Sequence, residues 1–153
     1  MAVTKFLARD LAMAISTDPG VDTIPGNTDD TWTPIGGIES LTHSPATEKA
    51  DATDFDSNGR AEHLAVQRGD SWTLAGFALE DVSTGDPDPG QDACASASKL
   101  TGLGSLVWFQ LTSPGGNTIR FEASVEVTQA GGGHNDLAKW QAVIEVSGTP
   151  AYA

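Results

Sequence analysis

The ten residues TIRFEASVEV, 118–127, constrain this chain more than any other stretch. Ile119, Phe121, Ala123, Val125 and Val127 alternate with Arg120, Glu122, Ser124 and Glu126. A period of two puts successive side chains on opposite faces of an extended chain, so this segment is a strand with one buried and one wet face. A strand of this kind needs partners on both edges and a second layer over its apolar face. The chain supplies them. SLVWFQL, 105–111, precedes it across TSPGGN, whose proline and paired glycines suit a reversal, so the two form a hairpin. KWQAVIEV repeats the alternation with Trp140, Ala142, Ile144 and Val146 on one side. SWTLAGFALED reads as a further strand in which Gly76 marks a bulge or a close approach of backbone.

Earlier in the chain, LAMAIS and TWTPIGGIESLTH each read as one strand, which brings the number to six or so. A single segment breaks the pattern. In DPDPGQDACASASKLTGLG, Asp88 can cap a helix and Pro89 suits its first turn. Ala93, Ala97 and Leu100 recur at helical spacing and Gly102 can end it, which predicts one helix over 89–101. An alanine-rich helix packs closely on a sheet. The expected fold is therefore mainly β: two packed antiparallel sheets, as a sandwich or barrel, with one flanking helix. The connections STDPGVDTIPGNTDD, THSPATEKADATDFDSNG and QAGGGHNDL read as long loops. At 153 residues a single domain, 1–153, is expected.

The charge narrows the function. Of 21 acidic and 8 basic side chains, 17 and 5 lie in residues 1–92, so the net charge of −13 sits almost wholly in the first part. Such a surface repels nucleic-acid phosphates, which argues against sequence-specific DNA or RNA binding. No apolar run approaches the roughly 20 residues of a membrane helix, and the N-terminus lacks the continuous apolar stretch of a signal peptide. A chain that is soluble and intracellular when made is the expectation. A lone Cys94 and three scattered histidines, His43, His63 and His134, provide neither a disulfide nor a zinc set.

Catalytic patterns are weak. Ser96 and Lys99 form an S-x-x-K without the partner motifs that such enzymes require, and no nucleophile elbow or dinucleotide fingerprint occurs. The acidic pairs Asp29/Asp30 and Glu80/Asp81 would need a cleft to act as acid and base. No enzyme activity and no cofactor is expected. DATDFDSNGRAEHLA, 51–65, places Asp54, Asp56, Asn58 and Gly59 on the first, third, fifth and sixth positions of a calcium loop. Ala65 then stands where the closing bidentate glutamate belongs. Asp56, Asn58 and Gly59 read as turn formers, and no metal is expected.

Taken together, 31–81 resembles the major tail tube proteins of long-tailed, siphovirus-type bacteriophages. The resemblance rests on the order of its elements: a tryptophan strand ending in Gly36-Gly37-Ile38, an acidic segment leading to TDFDSNG, then GDSWTLAGFALED. It continues through the short helix after TGDPDPGQD, the hairpin 105–127 and a closing strand. The resemblance implies a bare tube domain without an appended immunoglobulin-like domain. Six-membered rings of it would stack into a hollow tail through which phage DNA passes without specific binding. It also implies partnership with tape measure and tail terminator proteins, and a place in the virion after assembly in the host cytoplasm. The family's long arm corresponds to 44–69, which would reach neighbouring subunits. Trp32, Asp54, Phe55 and Asp56 are the expected assembly residues, with Phe55 as an apolar anchor between two solvating aspartates. An acidic wall would let a polyanion slide, and a closed barrel would remove exposed strand edges. Two readings compete with this one: a β-sandwich decoration or binding module, and a calcium-stabilised adhesion-type domain using Asp54, Asp56 and Asn58.

Overall fold

The structure is a computed structural model that describes residues 4, 5, 7, 10–18, 20, 26, 27, 30–53, 59–131 and 133–152. Seven strands form it: β1 (Ala12–Asp18), β2 (Thr31–Pro34), β3 (Ile38–Asp51), β4 (His63–Phe77), β5 (Val107–Thr112), β6 (Thr118–Ala130) and β7 (Lys139–Tyr152). One helix, α1 (Pro89–Ala97), and a 3-10 turn at Gly102–Ser105 lie between β4 and β5. All strand pairs are antiparallel, in the order β2-β1-β5-β6-β7-β4-β3.

That order forces the sheet to curl. β2 and β3 lie at opposite edges, yet only residues 35–37 join them. A flat sheet of seven strands would hold its edges roughly 29 Å apart at ~4.8 Å per strand, and a link this short spans at most about 14 Å. The edges must therefore meet. The two packed sheets expected from the sequence are the two halves of this single curled sheet, facing each other across the core.

The alternation read from the sequence sets its inner face. Phe121, Ala123 and Val125 of β6 are buried, as are Trp140, Ala142 and Ile144 of β7, with Phe109 from β5, Leu74 from β4 and Met13 and Ile15 from β1. The helix packs on β1, β2 and β6 and contributes Cys94 and Ala97. Asp88 caps it as expected, accepting from the Gln91 amide at 3.1 Å, with Pro89 in the first turn. The helix ends four residues before the expected Thr101: Ser98 Oγ donates to the Ala95 carbonyl at 2.7 Å, and Thr101 is already extended. Gly102, with φ +66°, opens the 3-10 turn instead of closing the helix.

Two further expectations change. TWTPIGGIESLTH is two strands, because Gly36 and Gly37 carry the chain from one edge of the sheet to the other. The segment 44–69 is largely paired strand: β3 and β4 pair from Ile38–Gly76 to Asp51–His63, with register shifts at Ile38/Ser40 and Glu48/Lys49. Its charged, alternation-poor sequence hides this, since a ribbon wet on both faces leaves no period-two signal. Most of the loop at 16–30 lies outside the described residues.

Candidate assembly surfaces

Three features of the folded chain bear on what it does. The first is the outer face of the sheet. Glu122 and Glu126 of β6 and Glu145 of β7 all project away from the core, on rungs where Ser124 lies opposite Glu145 and Glu126 opposite Val143. Like charges at diagonal spacing repel, so three carboxylates on neighbouring rungs cost the isolated subunit stability. A shallow groove of about 90 Å³ runs between them, lined by Ser124, Val125, Glu126, Val143 and Glu145.

Toward β5, β1 and β2 the same face changes character. Arg120 places its guanidinium 5.8 Å from the centre of the Trp32 ring and donates from Nε to Gln110 Oε1 at 3.0 Å. The indole N–H of Trp32 donates to the Asn27 carbonyl at 3.0 Å. Gly26, with φ +91°, lies so flat on Trp108 that a β-carbon there would sit 2.6 Å from the ring. Asp30, 7% exposed, ties the turn down, accepting from Ser16 Oγ at 2.7 Å and from the amides of Gly26 and Asn27 at 2.8 and 3.3 Å. Burial alone would raise its pKa, but these three hydrogen bonds and the Arg120 charge outweigh it and hold the carboxyl below its ordinary value. Trp32 is thus half-buried inside its own chain, as a platform for Arg120 and a donor to the Asn27 backbone.

The second feature is the arm. β7 pairs with β4 only from Ser71 to Phe77, so residues 63–70 keep β3 as their sole neighbour and the ribbon leaves the barrel. Leu64 and Val66 are each 63% exposed on it. Val66 is the extra residue of a bulge, since Glu48 pairs with Gln67 and Lys49 with Ala65. An isolated two-stranded ribbon is marginal in water, and this one carries two exposed apolar side chains. Asp54, Phe55 and Asp56, expected to be assembly residues of the 44–69 segment, lie outside the described residues.

The third is a polar hub that sequence reasoning missed. Gln91 is 2% exposed. Its Nε2 donates to the carbonyls of Gly36 and Phe77 at 2.9 and 2.8 Å, and its Oε1 accepts from the Leu79 amide at 3.2 Å. Asp88 Oδ2 also accepts from the Gly36 amide at 3.1 Å. Together they satisfy the backbone where the chain crosses between sheet edges. A glutamine in a polar helix turn carries no pattern that announces this role.

The other candidates have local structural roles. His43 stacks on Trp72 at 4.4 Å and lies 2.8 Å from Asp70. Asp81 accepts from the Ser83 amide and hydroxyl, which lowers its pKa, and Glu80 bridges to Pro87. Burial pushes the Cys94 thiol up to about 12, far from a reactive thiolate. Ser96 on the helix and Lys99 just beyond its end are both exposed. Among the described residues no three His, Cys, Asp or Glu converge to hold a metal ion, and no helix is long and apolar enough to cross a membrane.

No protein-family model matches the sequence, and no curated protein matches it. Solved structures do. A chain in the tail of an empty gene transfer agent particle, refined helically with C6 symmetry, superposes with a TM-score of 0.70 at 20% identity, covering 97% of this chain and 99% of that one. A chain in the native gene transfer agent virion gives 0.69 at 19% identity with the same coverage. The SPP1 tail tube gives 0.67 at 13% identity, over 97% of this chain and 78% of that one. At such identities the agreement is one of architecture, and the architecture is the phage tail-tube fold.

Proposed function

We propose that this protein is the structural subunit of a phage-type tail tube, self-assembling into six-membered rings that stack around a conduit for DNA. The observation that carries the reading is the match over 97% of the chain to a tail chain arranged with C6 symmetry. Two features of the subunit support it. The arm, unsupported within one chain, gains its missing contacts in a neighbour. The outer face bearing Glu122, Glu126 and Glu145 lines the channel, where its repulsion is useful: DNA meets carboxylates, and Arg120 is held by Trp32 and Gln110.

On this reading the protein performs no catalysis. It resides in the virion tail after assembly in the host cytoplasm, and its ends meet a tape measure and a tail terminator protein. Trp32 acts in assembly indirectly, by holding Arg120 and the Asn27 backbone, and Phe55 with its flanking Asp54 and Asp56 supplies a contact between subunits. Negative-stain microscopy of the concentrated, purified protein tests the proposal. Hollow, ring-stacked tubes are expected; particles that stay monomeric across the full concentration range would sink it.

A further inference from the structure

We infer that the distal ribbon, residues 46–51 and 63–69, swings as one unit about a hinge at Pro45 and Gly69, with His43 clamping the body side. The position of the hinge follows from where three supports end together. β4 has neighbours on both sides from Ser71 onward, but its ladder with β7 stops at the Ser71–Glu145 pair. The next rung pairs Asp70 with Pro45, which has no N–H to donate. The rung after that pairs Ala46 with Gly69, which has no side chain to brace either face; a β-carbon built there would find only the Ala46 carbonyl, 4.0 Å away. Two strands without a third, short of a donor and then of a side chain, offer little resistance to bending.

On the body side the opposite holds. The His43 ring stacks on Trp72 at 4.4 Å and 24°, and Trp72 stacks on the buried Phe121 at 6.3 Å. His43 Nε2 reaches Asp70 Oδ1 at 2.8 Å, diagonally across the pair, and Ser71 Oγ donates to the Ser44 carbonyl at 3.3 Å. These contacts immobilise the ribbon's root up to Asp70, so motion is confined to the rungs beyond. An arm with one defined hinge samples directions without unpairing, which lowers the ordering cost of meeting a partner.

The hinge is a property of the single subunit, so its test does not depend on tube formation, and either reading can fail without the other. Nitroxides at Lys49→Cys and Thr128→Cys report the arm against the barrel by pulsed electron paramagnetic resonance, and a pair at Thr118→Cys and Thr128→Cys reports the barrel alone. Native Cys94 is buried and stays unlabelled. The arm distribution should be roughly twofold broader than the barrel distribution or more. Gly69→Thr should narrow it, Gly69→Ala should narrow it less, and His43→Ala should broaden it, each with an unchanged far-ultraviolet circular dichroism spectrum and a cooperative melt as proof of folding. An arm distribution as narrow as the barrel's, or one that Gly69→Thr and Gly69→Ala both leave unchanged, overturns the hinge.

Discussion

Gly76 of β4 and Gly37 of the β2–β3 link touch backbone to backbone: a β-carbon built on Gly76 would fall 1.9 Å from the Gly37 carbonyl oxygen, far inside any real contact. The same rung carries a register shift in β3 between Ile38 and Ser40, and the Phe77 amide donates to the Gly37 carbonyl at 2.9 Å. The close approach is what lets three residues close the sheet. Gly76→Ala should therefore force the crossover outward and destabilise the fold by about 1–3 kcal/mol or more, read as a Tm loss of roughly 2–4 °C per kcal/mol in a chain of this size. An unchanged Tm would mean that the link is slack.

Gln91→Leu keeps the volume but removes every partner of the Gly36 and Phe77 carbonyls and the Leu79 amide that the side chain supplies. Each buried backbone group left unpaired costs about 1–3 kcal/mol, so urea denaturation should show a lower midpoint with an unchanged slope. A loss comparable to that of an ordinary surface substitution would remove Gln91 from the closure of the sheet.

Asp30 makes the fold acid-sensitive. Its folded pKa lies below the ordinary carboxyl value of 3.8, so its contribution is fully present above that value and is lost as pH falls through the lower, folded pKa. Asp30→Asn should lower stability at pH 7 by about 1–3 kcal/mol, as expected for hydrogen bonds to a charged group, and the gap between variant and wild type should shrink below pH 4. Parallel melting curves at pH 7 and pH 3 check this; a gap that is equal at both would show that the charge contributes nothing.

Leu64 and Val66 separate assembly from folding. Because both are exposed on the arm, the double change Leu64→Ser and Val66→Ser should leave the monomer's Tm within about 1 °C, as surface substitutions do. Tube yield should fall sharply, since every ring repeats the lost contact. Phe55→Ala is expected to act in the same direction. Tubes at wild-type yield from the double variant would take the arm out of the interface.

The side of the sheet that faces the channel is readable by size exclusion. Thr128→Cys lies on the face of Glu126. In assembled tubes a small maleimide should label it at the rate seen for the monomer, whereas a bulky polymer-linked maleimide should label it far more slowly. Equal labelling by both reagents would put this face on the outside.

How much was legible in advance depended on which residues meet water on one side only. β5, β6, β7 and the barrel half of β4 could be read from the chain, because burial of one face writes a period of two into the residues themselves, as in Phe121, Ala123 and Val125. The helix start at Asp88-Pro89 was legible for a similar reason: capping is satisfied by neighbours in sequence. Nothing local marks the arm, whose strands are wet on both faces, and nothing local tells that Gly36-Gly37 ends one strand and carries the chain across to a new edge.

The sequence by itself determined an acidic, mainly antiparallel domain with one helix and an inner face built on aromatic and β-branched residues. Only the tertiary structure decided that the sheet is one and curled, that Gln91 and Asp88 satisfy the backbone of the crossover, that Trp32 is a platform under Arg120, and that Glu122, Glu126 and Glu145 share one open face. Each of these is a relation between residues distant in the chain. Such relations are set by which strands become neighbours, and strand order is fixed by packing across the core, beyond the reach of any local pattern.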